Sequence, residues 1–242
     1  MSLYSRARLF CRAQRYRLKL DPAEIAFARH HARPGTTAVD IGAHKGGYAY
    51  WLSRAVGPEG RLLAFEPQPE LAGTLGRAFE TRRNVTIENM GLSDFSGCLP
   101  LLVPGLRPSP GASFETTEST AGARRQLAVP VTTLDLYLAA PHPRVSLIKC
   151  DVEGHELRVF QGARSTLDRE RPALLFECEK RHLAARDMGE VFGYLGARGY
   201  RGFFFAPREL RPLEEFDPAR HQDCPKSESY CNNFAFLPTE TL

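Results

Sequence analysis

The stretch from Thr37 to Gly47, Thr-Ala-Val-Asp-Ile-Gly-Ala-His-Lys-Gly-Gly, constrains this chain more than any other. Thr36 to Ile41 is a short apolar and β-branched run ended by Gly42, the pattern of a parallel strand buried on both faces. Glycines at 42, 46 and 47 tolerate positive φ and let a ligand come close to the backbone. The helix predicted from about Tyr48 then opens with free N–H groups directed at that ligand. Strand, glycine turn and helix in this order commit the chain to an α/β fold with a nucleotide-type site.

Two acids narrow the choice of nucleotide. A dinucleotide fingerprint needs G-x-G-x-x-G to admit a pyrophosphate, but His44 takes the middle glycine position and leaves Gly42-x-x-x-Gly46. Asp40, the last polar residue of the strand, is expected to project a carboxylate into the site, where it repels phosphate and attracts an amine or a cation. S-adenosylmethionine, with its ammonium and sulfonium, suits such a site. A second strand, Leu63-Ala64-Phe65, ends in Glu66 and Pro67 about twenty residues past the glycines, the spacing at which a carboxylate takes up ribose hydroxyls. The competing reading is a turn glycine and a solvated acid.

Composition excludes several classes. A chain of 242 residues fits one α/β domain, with 1–34 as an N-terminal helical cover and 35–242 as a Rossmann-like core. Its net charge of +4 is too mild to argue by itself for nucleic acid. The 6 cysteines, at 11, 98, 150, 178, 224 and 231, form no C-x-x-C, and Cys150 and Cys178 fall in predicted core strands, as expected of small buried hydrophobes in a reducing compartment. No apolar stretch is long enough to span a membrane. The basic N-terminus (Arg6, Arg8, Arg12, Arg15, Arg17, Lys19) lacks the apolar core of a signal peptide, so a cytoplasmic enzyme is expected.

Along the chain, residues 3–18 form a basic amphipathic helix, expected to cover the cofactor site; a membrane-surface or RNA-binding arm is the alternative. Asp21-Pro22-Ala23-Glu24 caps a helix running to about His31. Further elements are a helix at 46–55, a helix from Pro69 to about Thr81, a strand at Asn84 to Asn89 and an extra strand at 97–103. In the loop at 91–94, Ser93 and Asp94 are placed to hydrogen-bond adenine, with an ordinary turn as the competing view. Residues 104–125 read as a long loop and lid candidate, followed by a short strand at Val129 to Val131. Thr132-x-x-Asp135 reads as a capping box for a helix to about Ala139.

Val145 to Cys150 is a predicted strand ending in Asp151, and Gly154 starts a helix that buries Leu157, Phe160 and Leu167. Asp151, Glu153 and His155 therefore surround a crevice at the carboxyl end of the sheet, where ligands bind in this architecture. A fifth strand spans Ala173 to Cys178, with Glu177 near its end. After a helix at Met188 to Ala197 and a strand at Tyr200 to Phe205 comes a second loop and lid candidate, 206–230. Asn233 to Leu237 closes the sheet as an antiparallel hairpin with the sixth strand.

With these motifs the chain resembles the FkbM-type methyltransferases, a branch of the class I S-adenosylmethionine enzymes. The resemblance runs from about Ala38 to Glu179, with a weaker echo at Asn233 to Pro238. It rests on Val-Asp-Ile-Gly-Ala-His-Lys-Gly (39–46), Phe-Glu-Pro (65–67), Gly-Leu-Ser-Asp (91–94), Thr-Leu-Asp (133–135) and Ile-Lys-Cys-Asp-Val-Glu-Gly-His-Glu (148–156), the last being the most distinctive. It implies a seven-stranded, mostly parallel sheet with one antiparallel strand and helices on both faces. It also implies S-adenosylmethionine held by Asp40, Gly42, His44, Gly46, Gly47, Glu66, Pro67, Ser93, Asp94 and Asp151, and methyl transfer mostly to hydroxyls of sugars, polyketide-derived rings and other secondary metabolites. His44 departs from the asparagine that many relatives carry. Residues 1–20, 104–125 and 206–230 lie outside the motifs and are expected to choose the small-molecule acceptor.

An aliphatic hydroxyl is a poor nucleophile near neutral pH, so a positioned base is expected to take its proton. His155 is the first choice because its ordinary pKa lies near working pH, with Asp151 orienting it or serving as base itself. A helix-start residue satisfied by neighbouring backbone is the competing view of His155. Lys149, inside a buried strand, needs Asp40 or Glu177 as partner, a pairing more structural than catalytic. Asp151 and Glu177 are also the two carboxylates that would hold magnesium in a metal-dependent variant of the reaction. N-methylation is a further alternative. An NAD-dependent oxidoreductase is opposed by the missing glycine and by Asp40. A nucleic-acid amino-methylase is opposed by Asp151-Val152-Glu153-Gly154 standing where an Asp/Asn-Pro-Pro-aromatic motif belongs.

Overall fold

The computed structural model describes residues 3–116, 120–183, 187–206, 209–223 and 227–241. In chain order the strands are β1 (Thr37–Ile41), β2 (Arg61–Phe65), β3 (Val85–Glu88), β4 (Gly91–Leu92), β5 (Gly97–Val103), β6 (Arg125–Thr132), β7 (Val145–Cys150), β8 (Ala173–Glu177), β9 (Tyr200–Ala206), β10 (Glu209–Pro212) and β11 (Asn233–Pro238). The helices are α1 (Leu3–Arg15), α2 (Pro22–His31), α3 (Gly47–Ala55), α4 (Pro69–Phe79), α5 (Leu134–Tyr137), α6 (Glu156–Gln161), α7 (Arg164–Glu170), α8 (Met188–Gly196) and α9 (Pro218–His221).

The main sheet has the order β10-β9-β11-β8-β7-β1-β2-β3, with β1 buried at every position near its middle. β3, β2, β1, β7 and β8 are parallel, and β11 runs antiparallel to both β8 and β9. This is the expected seven-stranded sheet with one antiparallel strand, extended by β10 as an eighth strand antiparallel to β9. Within the stretch read as a loop at 206–230, Glu209-Leu210-Arg211-Pro212 is short and polar, and it pairs only because β9 leaves it an open edge.

Side chains alternate across the strands and split the core in two. Val39, Ile41, Phe65 and Phe176 belong to one cluster with Phe160 and Leu167, whereas Ala38, Ala64, Ala173 and Ala235 face the layer that holds Leu52, Trp51 and Leu75. Alanines on that face let the helices approach closely. Fully buried Phe65 and Phe160 each contribute on the order of 1.5–3 kcal/mol by leaving water.

A second, three-stranded sheet, β4-β6-β5, stands beside the first. β6 is longer than the strand predicted at Val129 to Val131, because Arg125 and Gln126 pair with Val103 and Leu102 on β5. The helix cap also differs: Thr133, not Thr132, accepts the Leu136 N–H, while Asp135 accepts from Ser165 and Thr166 on α7. The single helix predicted from Gly154 is instead α6 and α7, broken at Gly162, where a Cβ would stand 1.9 Å from the Ser93 carbonyl oxygen. Asp21 precedes α2 but its carboxylate accepts from the Tyr48 hydroxyl at 2.9 Å rather than capping the helix. α1 ends at Arg15 and passes into a π-helical turn, Tyr16–Leu20. No helix among the described residues is long and apolar enough to cross a membrane. Of the cysteines, 11, 98, 150, 178 and 231 are free thiols, and Cys224 lies outside the described residues.

Candidate functional site

The strand register brings the candidate residues into one row. Ile41 pairs with Phe65 on one side and Cys150 on the other, and Cys150 pairs with Phe176. Glu66, Gly42 and Asp151, the next residues along, leave the carboxyl edge together, with Glu177 beside them at the end of β8. Gly42 has φ 76, and a Cβ there would meet the Asp151 carbonyl oxygen at 1.9 Å, so the position takes no other residue.

Glu66 is fixed by the turn that follows β1. Its Oε2 accepts the His44 N–H at 2.7 Å and its Oε1 the Gln68 N–H at 2.9 Å. His44 reaches that position with a left-handed φ of 47, so the residue in place of the middle glycine orients the acid. Burial, only partly offset by those two N–H groups, raises the Glu66 carboxyl to about 7. Burial, reinforced by Lys45, lowers the His44 imidazole to about 4, and its buried Nε2 has no hydrogen-bond partner among the described residues.

Beneath this row lies a charged trio. Lys149 Nζ stands 3.2 Å from Asp151 Oδ2, 3.6 Å from Asp40 Oδ1 and 3.4 Å from the Gly42 carbonyl oxygen, over the face of the Tyr48 ring. Burial pulls the Lys149 ammonium down, but Asp151 and Asp40 outweigh it and hold Lys149 above its ordinary value. Burial raises the Asp40 carboxyl and Lys149 opposes that rise.

Two cavities meet over the row. The first, about 200 Å³, is lined by Gly42 to Lys45, Gly47, Glu66, Pro67 and Gln68 from the sheet edge, by Arg12 of α1 and Tyr16 of the π-helical turn, and by Leu101, Pro110, Ala112 and Phe114 as a roof. The second, about 330 Å³, is lined by Lys19, Leu20, Asp21, Asn232 and Asn233. Tyr16, Tyr48, Lys149, Asp151 and Glu177 line both. A larger hollow of about 840 Å³ between α1, α3 and α4 contains none of these side chains and no carboxylate, so size does not mark the site.

The roof and the N-terminal cover are held by specific contacts. Gln68 exchanges two hydrogen bonds with the Ser109 backbone, and the Ser113 hydroxyl donates to the Glu153 carbonyl at 2.6 Å. Arg12 donates to the Lys45 carbonyl at 3.0 Å and the Trp51 indole to the Ala13 carbonyl at 2.8 Å. The Tyr16 ring lies so close to Gly47 that a Cβ there would stand 2.6 Å from it. By contrast, no described residue of 206–230 lines either cavity. That segment braces the chain behind the site, where the Gln222 amide bonds the Cys178 and Cys231 carbonyls.

Several predicted site residues stand elsewhere. Asp40 is fully buried and faces Lys149, not a cavity. Gly46, at φ 79, packs its backbone against Leu75 and Leu9. His155 is 2% exposed, with Nε2 2.9 Å from the Ser93 hydroxyl and Nδ1 2.7 Å from Glu115, and it lines neither cavity. Ser93 is itself fully buried, and Asp94 pairs with Arg158 at 2.9 Å, so both stand behind His155 and not beside the crevice. The only group among the described residues with metal-ligand spacing is Glu153, Glu177 and His182, without Asp151. His182, Tyr16, Tyr48 and Gln68 were not singled out by sequence; the glutamine one residue past Phe-Glu-Pro was the signal available for the last.

An open, mostly parallel sheet with a glycine turn after its central strand and an acid after the next is the Rossmann-like fold of the class I methyltransferases. The chain belongs to the FkbM methyltransferase family: the Methyltransferase FkbM domain matches residues 40–201. Its structure resembles the methyltransferase FkbM of Methylobacillus flagellatus KT with a TM-score of 0.54 at 17% identity, over 98% of this chain and 56% of that one. This chain therefore spans little more than half the length of that relative. A SAM-dependent methyltransferase from Aquifex aeolicus aligns at a TM-score of 0.46 and 18% identity, over 96% of this chain and 97% of that one. At 17% identity the likeness to the Methylobacillus protein is one of fold. No curated protein matches the chain.

Proposed function

We propose that the chain transfers a methyl group from S-adenosylmethionine to a hydroxyl oxygen of a small acceptor, of the sugar or secondary-metabolite kind. The observation that carries this reading is the meeting of two cavities at Asp151 and Glu177, one beside Glu66 and the glycine turn, the other beside Lys19, Asp21 and the 232–233 amides. The buried, unpartnered His44 Nε2 and the Glu66 carboxylate, both lining the first cavity, fit a nucleoside: Glu66 would take the ribose hydroxyls and His44 a further polar atom. When bound, S-adenosylmethionine supplies a methyl group activated by its sulfonium.

The remaining work falls to the chain. Lys149 holds Asp151 through Oδ2, and Asp151, at 35% side-chain exposure, reaches into the shared region and takes the acceptor proton as the new bond forms. The Tyr16 ring and the roof at Pro110, Ala112 and Phe114 exclude water from the reacting atoms. Asn232 and Asn233 suit acceptor hydroxyls, and like Lys19 they lie outside the family-matched residues 40–201, where acceptor choice is free to vary.

The test is incubation of the full chain with methyl-labelled S-adenosylmethionine and a panel of hydroxylated small molecules, read by mass spectrometry. Label should appear as a methyl ether, and Asp151→Asn should lower kcat by about a hundred- to ten-thousand-fold. Label on nitrogen only, or an unaffected Asp151→Asn enzyme, would contradict the assignment.

A further inference from the structure

Glu153, Glu177 and His182 bring one ligand atom each to within 4.8 Å of one another. Glu153 Oε2 is 3.0 Å from His182 Nδ1, and Glu177 Oε1 is 3.8 Å from the same nitrogen. The three side chains come from separate elements: the turn after β7, the end of β8, and the short turn Lys180–His182. Gly154, at φ 99, makes the approach possible, since a Cβ there would stand 2.1 Å from the His182 carbonyl oxygen.

Two features set this group apart from a solvated acidic patch. First, the imidazole is held from behind: Nε2 lies 3.4 Å from Glu179 Oε2, and Glu179, 2% exposed, is itself fixed by Arg181, Tyr230 and Asn232. A carboxylate behind a histidine is how proteins orient an imidazole toward a cation, leaving the other nitrogen as ligand. Second, the charges do not balance. Glu179 has Arg181, but Glu153 and Glu177 face a single imidazole, and Glu177 accepts no hydrogen bond from a described residue.

We propose that Glu153, Glu177 and His182 form a divalent-cation site near Asp151, where the two cavities meet. Two carboxylate oxygens and one imidazole nitrogen suit manganese, iron(II) or zinc better than calcium, which takes oxygen ligands. Glu153 lines the first cavity and Glu177 lines both, so a cation there borders the region shared with the acceptor cavity. It would hold the acceptor oxygen and favour loss of its proton toward Asp151. That role rests on the methyltransferase reading, but cation binding does not.

Manganese titration of the chelator-stripped full chain, followed by calorimetry and by loss of the free-ion electron paramagnetic resonance signal, tests the site. One manganese ion should bind per chain, and Glu177→Gln and His182→Ala should each weaken binding at least tenfold. The isosteric Glu177→Gln keeps the test valid if His182→Ala fails to fold. S-adenosylhomocysteine binding, measured on the same samples, reports on the methyltransferase reading separately. Absence of stoichiometric binding, or binding that Glu177→Gln leaves unchanged, would overturn the site.

Discussion

Lys149 and Asp40 are register partners on adjacent parallel strands, and their charged atoms stand 3.6 Å apart. β7 and β1 thus carry a buried cation and a buried anion at the same height, directly under the glycine turn. Lys149→Met would leave Asp40 alone in the core, which costs about 3–5 kcal/mol for a buried charge stripped of its partner. Urea unfolding checks the value, and Asp40→Asn in the Lys149→Met background should recover part of it. A loss below about 1 kcal/mol would mean that Asp40 is protonated in the native chain and that no ion pair exists.

If Glu66 holds the ribose as proposed, ligand binding should depend on pH. Its carboxyl in the folded chain lies near 7, above its ordinary value, because burial disfavours the charged form. A folded value raised in this way means that the Glu66 contribution to stability is fully present below about pH 4.5 and is lost as pH rises through about 7. Ligand binding runs the other way, since the ionised form is the better acceptor of ribose hydroxyls. S-adenosylhomocysteine should therefore bind more tightly as pH is raised from 6 to 8. Glu66→Gln should flatten that profile, and Glu66→Ala should weaken binding by about 1–3 kcal/mol. A steep profile that persists in Glu66→Gln would assign the titration to another group.

The first cavity, at about 200 Å³, is smaller than the roughly 300–1,000 Å³ of a usual ligand site, and its roof is a segment of backbone held by Gln68, Ser113 and Glu115. Hydrogen exchange should show residues 104–116 and the turn around Tyr16 gaining protection when S-adenosylhomocysteine and acceptor are added. Residues 209–223 should not change, because they line neither cavity. Protection confined to 209–223 would reverse the assignment of cover and brace.

His155 joins Ser93 to Glu115 and so ties α6 to the roof, with the Phe114 ring 5.3 Å away. His155→Ala should lower kcat by less than about tenfold, cost about 1–3 kcal/mol of stability, and speed exchange at 112–116. A fall of a hundredfold or more with cofactor binding intact would return His155 to the role of base.

The glycine turn, Glu66 and the acids after β7 were legible because each is local: a strand pattern, its end and the next residue. What escaped was set by contacts across the chain. Asp40 follows the same alternation as its neighbours, and only the register with Lys149 decides that its carboxylate turns beneath the site. His155 stands at the predicted helix start, yet its ring is claimed by Glu115, a partner 40 residues away. His182 meets Glu153 because Glu153 takes a left-handed φ of 56, which nothing in its residue type announces. β10 was illegible for a different reason, being an edge strand of four residues with no apolar alternation.

Calorimetric titration of the full chain with S-adenosylhomocysteine, with NAD as the parallel ligand, tests the central claim most directly. One molecule of S-adenosylhomocysteine should bind per chain with micromolar affinity, about 8 kcal/mol, while NAD gives no saturable heat because His44 closes the space a second glycine would leave for its pyrophosphate. Tight binding of NAD together with no response to S-adenosylhomocysteine would contradict the account.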